Sequence, residues 1–206
     1  MEITYKDGNS LPVMESFYTL QGEGFHSGRA AYFVRLSGCD VGCVWCDVKE
    51  SWEIRPEQVK SIDEIINLIV TYPSEFVVLT GGEPAMYNLT KLVNKLKEYN
   101  MYVAIETSGV YPLSGDVDWY TFSPKKFKKP CEEAYDKANE LKVVIYNKSD
   151  LTWALEHQAK VNSKCLLYLQ PEWSKLEEMT PLIVDFIKEN PSWRLSLQSH
   201  KYINIP

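Results

Sequence analysis

From Ala31 onward, short runs of β-branched and aromatic residues alternate with segments of helical period, and this alternation limits the fold more than any other feature of the chain. Parallel strands joined by crossover helices produce such a pattern. Strands are expected over 31–37, 75–80, 102–106, 119–122, 141–145, 165–170 and 193–197. Between them, Ser61 and Glu64 form a capping-box pair ahead of Ile65, Ile66, Leu68 and Ile69. Leu89, Leu92, Val93 and Leu96 recur at helical spacing. A third amphipathic helix is expected to begin near Thr180, with Pro181 at its first helical position and Leu182, Ile183, Phe186 and Ile187 on one face. The units fall short of the eight in a closed barrel, whose usual length is ~250 residues. An incomplete, splayed α/β barrel is therefore expected.

No repeat, low-complexity tract or linker divides residues 1–206, and 45% apolar with 24% charged residues suits one globular domain. The net charge of −6 argues against a nucleic-acid partner, whose phosphates call for a basic surface. No apolar run approaches the ~20 residues that span a bilayer, and no lipidation signal appears. No membrane partner is expected.

Cys39, Cys43 and Cys46 stand in a C-x3-C-x2-C array just past the first of these strands. A cubane cluster has four irons, so three thiolates leave one iron free to bind a substrate or cofactor, as in catalytic metal sites. A structural zinc site would close with a fourth Cys or His at its own spacing, and neither Cys131 nor His157 has such a partner. A disulfide framework does not suit five cysteines in 206 residues or an N-terminus unlike a secretory signal. The expected compartment is the reducing cytoplasm. Cys131 and Cys165 read as free thiols, Cys165 as a buried strand residue. His26, His157 and His200 are isolated in sequence, His200 being the best placed of them.

Polar residues gather just past the expected strand ends, which open onto one face of a parallel sheet. Thr80, Gly81, Gly82, Glu83 and Pro84 follow the second strand, and Glu106, Thr107 and Ser108 the third. Ser123, Pro124 and Lys125 follow the fourth, and Gln170 the sixth. The Gly81-Gly82 pair suits a tight turn needing positive φ, and its bare backbone also lets a ligand approach. Glu83 is placed to accept a bond from a ligand ammonium.

The cysteine array with Trp45 inside its last interval, followed by Gly81-Gly82-Glu83-Pro84 after a second strand, resembles the radical S-adenosylmethionine superfamily. Within it, the chain is similar to the 7-carboxy-7-deazaguanine synthase family. The likeness runs through Ser16 to Gly24, Gly28-Arg29, Phe33 to Cys39, Cys43 to Asp47, Leu79 to Pro84, Glu106 to Gly109, Ser123 to Lys125, and Gln198 to Tyr202 with the ending at Pro206. The resemblance implies a (βα)6-type partial TIM barrel and a [4Fe–4S] cluster on Cys39, Cys43 and Cys46. It further implies S-adenosyl-L-methionine chelated to the open iron and cleaved, by an electron from the reduced cluster, to a 5′-deoxyadenosyl radical. The implied enzyme is a lyase that converts 6-carboxy-5,6,7,8-tetrahydropterin to 7-carboxy-7-deazaguanine with loss of ammonia, in the queuosine precursor pathway. The implied partners are the pterin, an external electron donor and a second copy in a homodimer.

Carried over by motif, Trp45, Cys46, Asp47, Gly82, Glu83, Ser108, Ser123, Pro124, Lys125 and Gln170 surround the cofactor. Leu20, Gln21, Gly22, Glu23, Arg35, Thr80 and Pro206 contact the substrate. Arg35 would offer its fork of donors to the substrate carboxylate, and the Pro206 carboxylate would meet the guanidine-like edge of the pterin. Residues 1–30 then read as an N-terminal substrate-loop segment, and 193–206 as a strand and tail closing the site. One position departs from the family pattern, which places Thr or Ser after the Cys-Asp pair as a hydroxyl associated with Mg2+. Here it is Val48, and an isopropyl group cannot ligate a hard cation. Magnesium remains an expectation of the resemblance, with Asp47 as its ligand. Two other readings of the array stay open: a glycyl-radical activase acting on a protein partner, and a non-catalytic iron–sulfur or zinc-binding module. The Gln21-Gly22-Glu23-Gly24 loop favours the deazaguanine family over the activase.

Overall fold

Nine strands hydrogen-bond into one sheet in the computed structural model, which describes residues 7–206; the beginning of the 1–30 segment lies outside the described residues. In chain order the strands are β1 (Ser10–Leu20), β2 (Ala30–Leu36), β3 (Val59–Ser61), β4 (Phe76–Gly81), β5 (Tyr102–Thr107), β6 (Trp119–Phe122), β7 (Glu140–Ile145), β8 (Leu166–Pro171) and β9 (Trp193–Leu195). β2 and β4 to β9 lie side by side and parallel, while β1 joins β2 antiparallel and β3 joins β1. The sheet runs from β3 to β9 without closing, which is the splayed barrel that the alternation predicts.

Side chains on successive strand residues point to opposite faces, so each parallel strand carries two different surfaces. Val34, Leu36, Val77, Leu79, Val103, Ile105, Leu141, Val143 and Leu169 form the buried outer face. It is covered by α1 (Ile62–Ile69), α2 (Thr90–Glu98), α3 (Glu132–Lys137), α4 (Ser149–Gln158) and α5 (Leu176–Glu189), through Ile65, Ile69, Leu92, Leu96, Ala134, Ala154, Met179 and Ile183. Each such Leu or Ile contributes about 1.5–3 kcal/mol by leaving water. The expected cap starts α1: Ser61 Oγ accepts from Glu64 N at 3.3 Å, and Glu64 Oε2 accepts from Ser61 N at 2.7 Å. A short α6 (Ser199–Ile203) follows β9. Among the described residues no helix is long and apolar enough to cross a membrane.

The structure corrects four details of the sequence reading. The 1–30 segment contains an eleven-residue strand rather than only a loop. Its Pro12 lies opposite Val59 near the start of β1, just before the register with β2 begins at Val13, so a missing N–H costs little pairing. The helix expected near Thr180 begins at Leu176, which puts Pro181 inside it. There the proline leaves only the carbonyl one turn back without its usual partner, while buried Met179 anchors the added turn against the core. β9 ends at Leu195, because Ser196 turns to bond Gln170 Oε1 at 2.7 Å and the chain continues into α6. Cys165 is half-buried and precedes β8 rather than lying within it; both it and Cys131 are free thiols.

Candidate active site

The inner face of the sheet changes character along its strands. Low on it, Ala31, Phe33, Phe76, Val78 and Ala104 pack with Phe17, Tyr102 and Trp119 into a small apolar floor. Toward the C-terminal ends the same face turns polar, with Arg35 opposite Thr80, then Glu106, Lys142 and Gln170. These residues line a cavity of about 410 Å3 at the rim where parallel βα folds place their chemistry. The loops beyond the strand ends complete its walls: Gln21 to Glu23, the cysteine loop, Gly81 to Glu83, Thr107 and Ser108, Ser123 and Lys125, and the tail residues His200, Lys201 and Pro206.

The cysteine loop is pinned at both ends. Gly38 N bonds Ser51 O at 2.7 Å, Cys39 N bonds Trp52 O at 3.3 Å, and Cys46 N bonds Cys43 O at 3.1 Å. Cys39 and Cys46 are half-buried and Cys43 is buried, and all three face the cavity. Burial pushes the Cys43 thiol up to about 11, with the Lys125 ammonium pulling the other way and the neighbouring sulfurs adding to the rise. Among the described residues no three His, Cys, Asp or Glu side chains converge tightly enough for a single metal ion. Three thiols spread along one loop beside open space instead suit a cluster of several irons, which takes its ligands at separate corners. No other cysteine lines this cavity, and its one imidazole, His200, stands on the tail against Gly22. The residues present fit a three-ligand iron–sulfur cluster.

The turn after β4 is laced to that loop. Gly82 N donates to Leu36 O and Glu83 N to Gly38 O, both at 2.8 Å. Gly81 has φ +128°, and a Cβ on Gly82 would lie 2.2 Å from Gly38 O. Both glycines are thus demanded by the chain's own backbone. Gly82→Ala is expected to destabilise the fold by roughly 2 kcal/mol or more, since backbone must shift to admit the methyl. Its urea midpoint checks this.

Glu83 lines the cavity, and its carboxylate is also engaged by the protein itself. It is 1% exposed, and its carboxylate already accepts from Ala85 N at 3.0 Å, Ser108 N at 2.9 Å and the hydroxyls of Thr107 and Ser108. Four donors fill its lone pairs. Glu83 ties the end of β4 to the end of β5, and Ser108 reaches the cavity as its partner.

A buried charge network supports the opposite wall. Lys142, 4% exposed on β7, pairs with Glu23 and lies 3.8 Å from Glu106 Oε1. Gln21 Nε2 donates to Glu106 Oε1 at 2.9 Å, Thr80 Oγ1 to Glu106 Oε2 at 3.4 Å, and Gln198 Nε2 to Glu23 Oε1 at 2.8 Å. Burial alone would favour neutral Glu23, but the Lys142 ammonium and its hydrogen bond hold the carboxyl below the usual range. Glu140 lies beneath them, raised by burial, with Oε2 bonded to Phe25 N and Trp119 Nε1 and Oε1 without a partner. The early loop and the tail meet directly: Gly24 N bonds Ser196 Oγ and Ser199 N bonds Gly22 O, each at 2.9 Å.

Of the other residues singled out by sequence, Leu20, Gln21, Gly22, Arg35, Trp45, Asp47, Thr80, Gly82, Ser123, Lys125, Gln170 and Pro206 line the cavity. Arg35 Nε bonds Glu15 Oε1 at 2.6 Å, and among the described residues its two terminal nitrogens have no partner. Lys125 Nζ bonds Ser123 Oγ at 2.6 Å and lies 5.4 Å from the Trp45 ring. Pro124 does not reach this cavity. It lines an adjoining one of about 200 Å3, which shares Trp45 and Lys125. His26 is packed among Phe25, Phe76, Tyr102 and Trp119, and His157 stacks on Tyr135 on the helical side. The sequence reading passed over Lys142 and Glu140, and it left Glu106 without a role. A lysine inside the otherwise apolar run Leu141 to Ile145 was the available signal.

The Radical SAM superfamily model matches residues 33–145. The chain is 54% identical over 206 residues to 7-carboxy-7-deazaguanine synthase of Flavobacterium psychrophilum, covering 100% of this chain and 98% of that protein. It is 45% identical to the synthase of Synechocystis sp., over 95% of this chain and 94% of the other, and 34% identical to that of Escherichia coli K12, over 94% and 98%. The crystal structure of QueE from Escherichia coli superposes with a TM-score of 0.86 at 31% identity, covering 97% of this chain and 99% of that one. With three cysteines on a pinned loop at the rim of a splayed barrel, and relatives matched from end to end, the chain belongs to the radical SAM superfamily and, within it, to the 7-carboxy-7-deazaguanine synthase family.

Proposed function

We propose that this chain converts 6-carboxy-5,6,7,8-tetrahydropterin to 7-carboxy-7-deazaguanine with loss of ammonia. The observation that carries this reading is a single cavity in which a three-cysteine loop faces an arginine and a braced pair of carboxylates across one rim. Cys39, Cys43 and Cys46 would hold the cluster, whose chemistry when bound would be one-electron reduction of the sulfonium of S-adenosylmethionine. Trp45, Gly82, Ser108, Ser123, Lys125 and Gln170 border the cofactor, whereas Pro124 lines the adjoining cavity. On the substrate side, Arg35 offers its terminal nitrogens to the carboxylate, while Glu23 and Glu106 present acceptors toward the amide and amino groups of the pterin. Leu20, Gln21, Gly22, Thr80 and Pro206 close around it. Enclosure keeps water from the reacting carbon.

Magnesium does not fit this donor set. Val48 has no side-chain oxygen, and Asp47 Oδ2 accepts from Lys201 Nζ at 3.0 Å.

Arg35→Lys is expected to raise KM for the pterin about tenfold or more, because one charge-assisted bond of the fork is lost. Cleavage of S-adenosylmethionine without substrate should stay unchanged, and steady-state kinetics separate the two. The reading as a whole is tested by incubating cluster-loaded protein with the pterin, S-adenosylmethionine and dithionite. Mass spectrometry should find the deazaguanine acid; cofactor cleavage with no such product would favour the activase reading. A homodimer accompanies this proposal, and sedimentation velocity checks it.

A further inference from the structure

The cysteine loop has an outer side as well as a cavity side. Val44 follows Cys43 directly, yet it turns outward and is 67% exposed. Beside it Phe127 is 41% exposed and makes an edge contact with Trp45, ring centroids 6.2 Å apart. An apolar path therefore leads from the surface to the loop that holds the three thiols. Phe127 sits within Lys125, Lys126, Phe127, Lys128 and Lys129, four lysines in five residues of a chain whose net charge is −6. Lys126 pairs with Asp150 and reaches Ser149 Oγ at 3.4 Å, which brings exposed Lys148 at the start of α4 beside the run. Lys128 is held by Asp40 and Tyr111. Among the described residues Lys129 and Lys148 have no ion pair. Of these lysines only Lys125 lines the main cavity and Lys126 borders the adjoining one, so the charge of Lys129 and Lys148 has no use in the site.

We propose that this face, with Val44 and Phe127 at its centre and Lys126, Lys129 and Lys148 around them, docks a small acidic protein that delivers single electrons. The inference rests on the proposed function, which needs one electron from outside for each cofactor cleavage. That electron oxidises the carrier by one equivalent and reduces the group on Cys39, Cys43 and Cys46 by one, with no atom transferred. The cavity itself is reserved for cofactor and substrate and must exclude water. The outer side of the loop is the short way in. A cationic rim around an apolar centre suits a carrier whose redox group is exposed at an apolar edge ringed by carboxylates, since opposite potentials steer the encounter and fix its register.

The test uses the cluster-loaded protein, a Lys129→Glu/Lys148→Glu variant, and as probe an acidic carrier protein bearing flavin mononucleotide. Binding is read from the change in flavin fluorescence. The unaltered protein should lose about tenfold in affinity between roughly 0.05 and 0.3 M salt, as screening shortens the reach of the charges. At low salt the variant should bind about tenfold more weakly, while Lys129→Arg/Lys148→Arg should bind as the unaltered protein does. Product formation driven by the reduced carrier should fall by a similar factor in the glutamate variant, with the dithionite-driven rate kept within about twofold. A glutamate variant that binds the carrier as tightly as the unaltered protein overturns the docking face, as does one that loses the dithionite-driven rate equally. Failure of the unaltered protein to turn over with dithionite overturns the proposed function instead.

Discussion

Cys43→Ala is expected to lose cleavage of S-adenosylmethionine by more than about a hundredfold, because loss of a direct ligand exceeds the 10–100-fold typical of the groups behind one. The iron content and visible absorbance of anaerobically loaded protein should fall with it. Cys39→Ala and Cys46→Ala should behave alike, since the three thiols stand on one pinned loop and no other cysteine lines the cavity. Cys131→Ala and Cys165→Ala supply the contrast. Cys165 lies beside β8, its thiol pushed up to about 12 by burial and donating to Leu166 O at 3.6 Å. Cys131 caps the start of α3 without a side-chain bond. Release of 5′-deoxyadenosine should be near normal in both, and full activity in Cys43→Ala would contradict the three-ligand site.

Lys142→Met is expected to destabilise the protein by about 3–5 kcal/mol at pH 7, the usual consequence of removing one partner from a buried ion pair. Methionine fills much the same volume but leaves Glu23 and Glu106 facing each other, with Glu140 below, and no cation among them. The pH dependence has a definite sign. In the unaltered protein Glu23 lies below its ordinary value, so its contribution is present above about pH 4.3 and lost as pH falls further. In the variant the same carboxylates are raised by burial, and the folded state takes up protons more readily than the unfolded one. The stability difference between the two proteins should therefore narrow from pH 7 to pH 5 in urea titrations. A constant difference over that range would mean that Lys142 acts through packing alone.

The parallel strands were legible because β-branched and aromatic residues in short runs leave little choice of conformation, as in Phe76 to Leu79 or Val143 to Ile145. The cysteine loop and the Gly81-Gly82 turn were legible because local spacing encodes local geometry. What stayed hidden depends on distant partners. β1 is only partly buried and contains Pro12, so its pairing with Ala30 to Leu36 gives no strong local signal. α4 lacks a clean apolar stripe and is held by Leu151 and Ala154 against β7 and its neighbours. Lys142 is visible as a charge in an apolar strand, but Glu23 lies 119 residues away and nothing local announces it. Glu83 shows the same limit. Its place in a known motif suggests a ligand contact, but nothing local announces that Thr107, Ser108 and Ala85 also bond its carboxylate.

The contact of Gly22 and Gly24 with Ser199 and Ser196 joins segments more than 170 residues apart, and it sets an order of events during synthesis. A nascent chain can build the cysteine loop and most of the sheet while residues 196–201 are still inside the ribosome. Iron inserted at that stage would stand in an unwalled bowl, open to dioxygen. Only once residues 196–201 meet the early loop does that side of the cavity gain its wall.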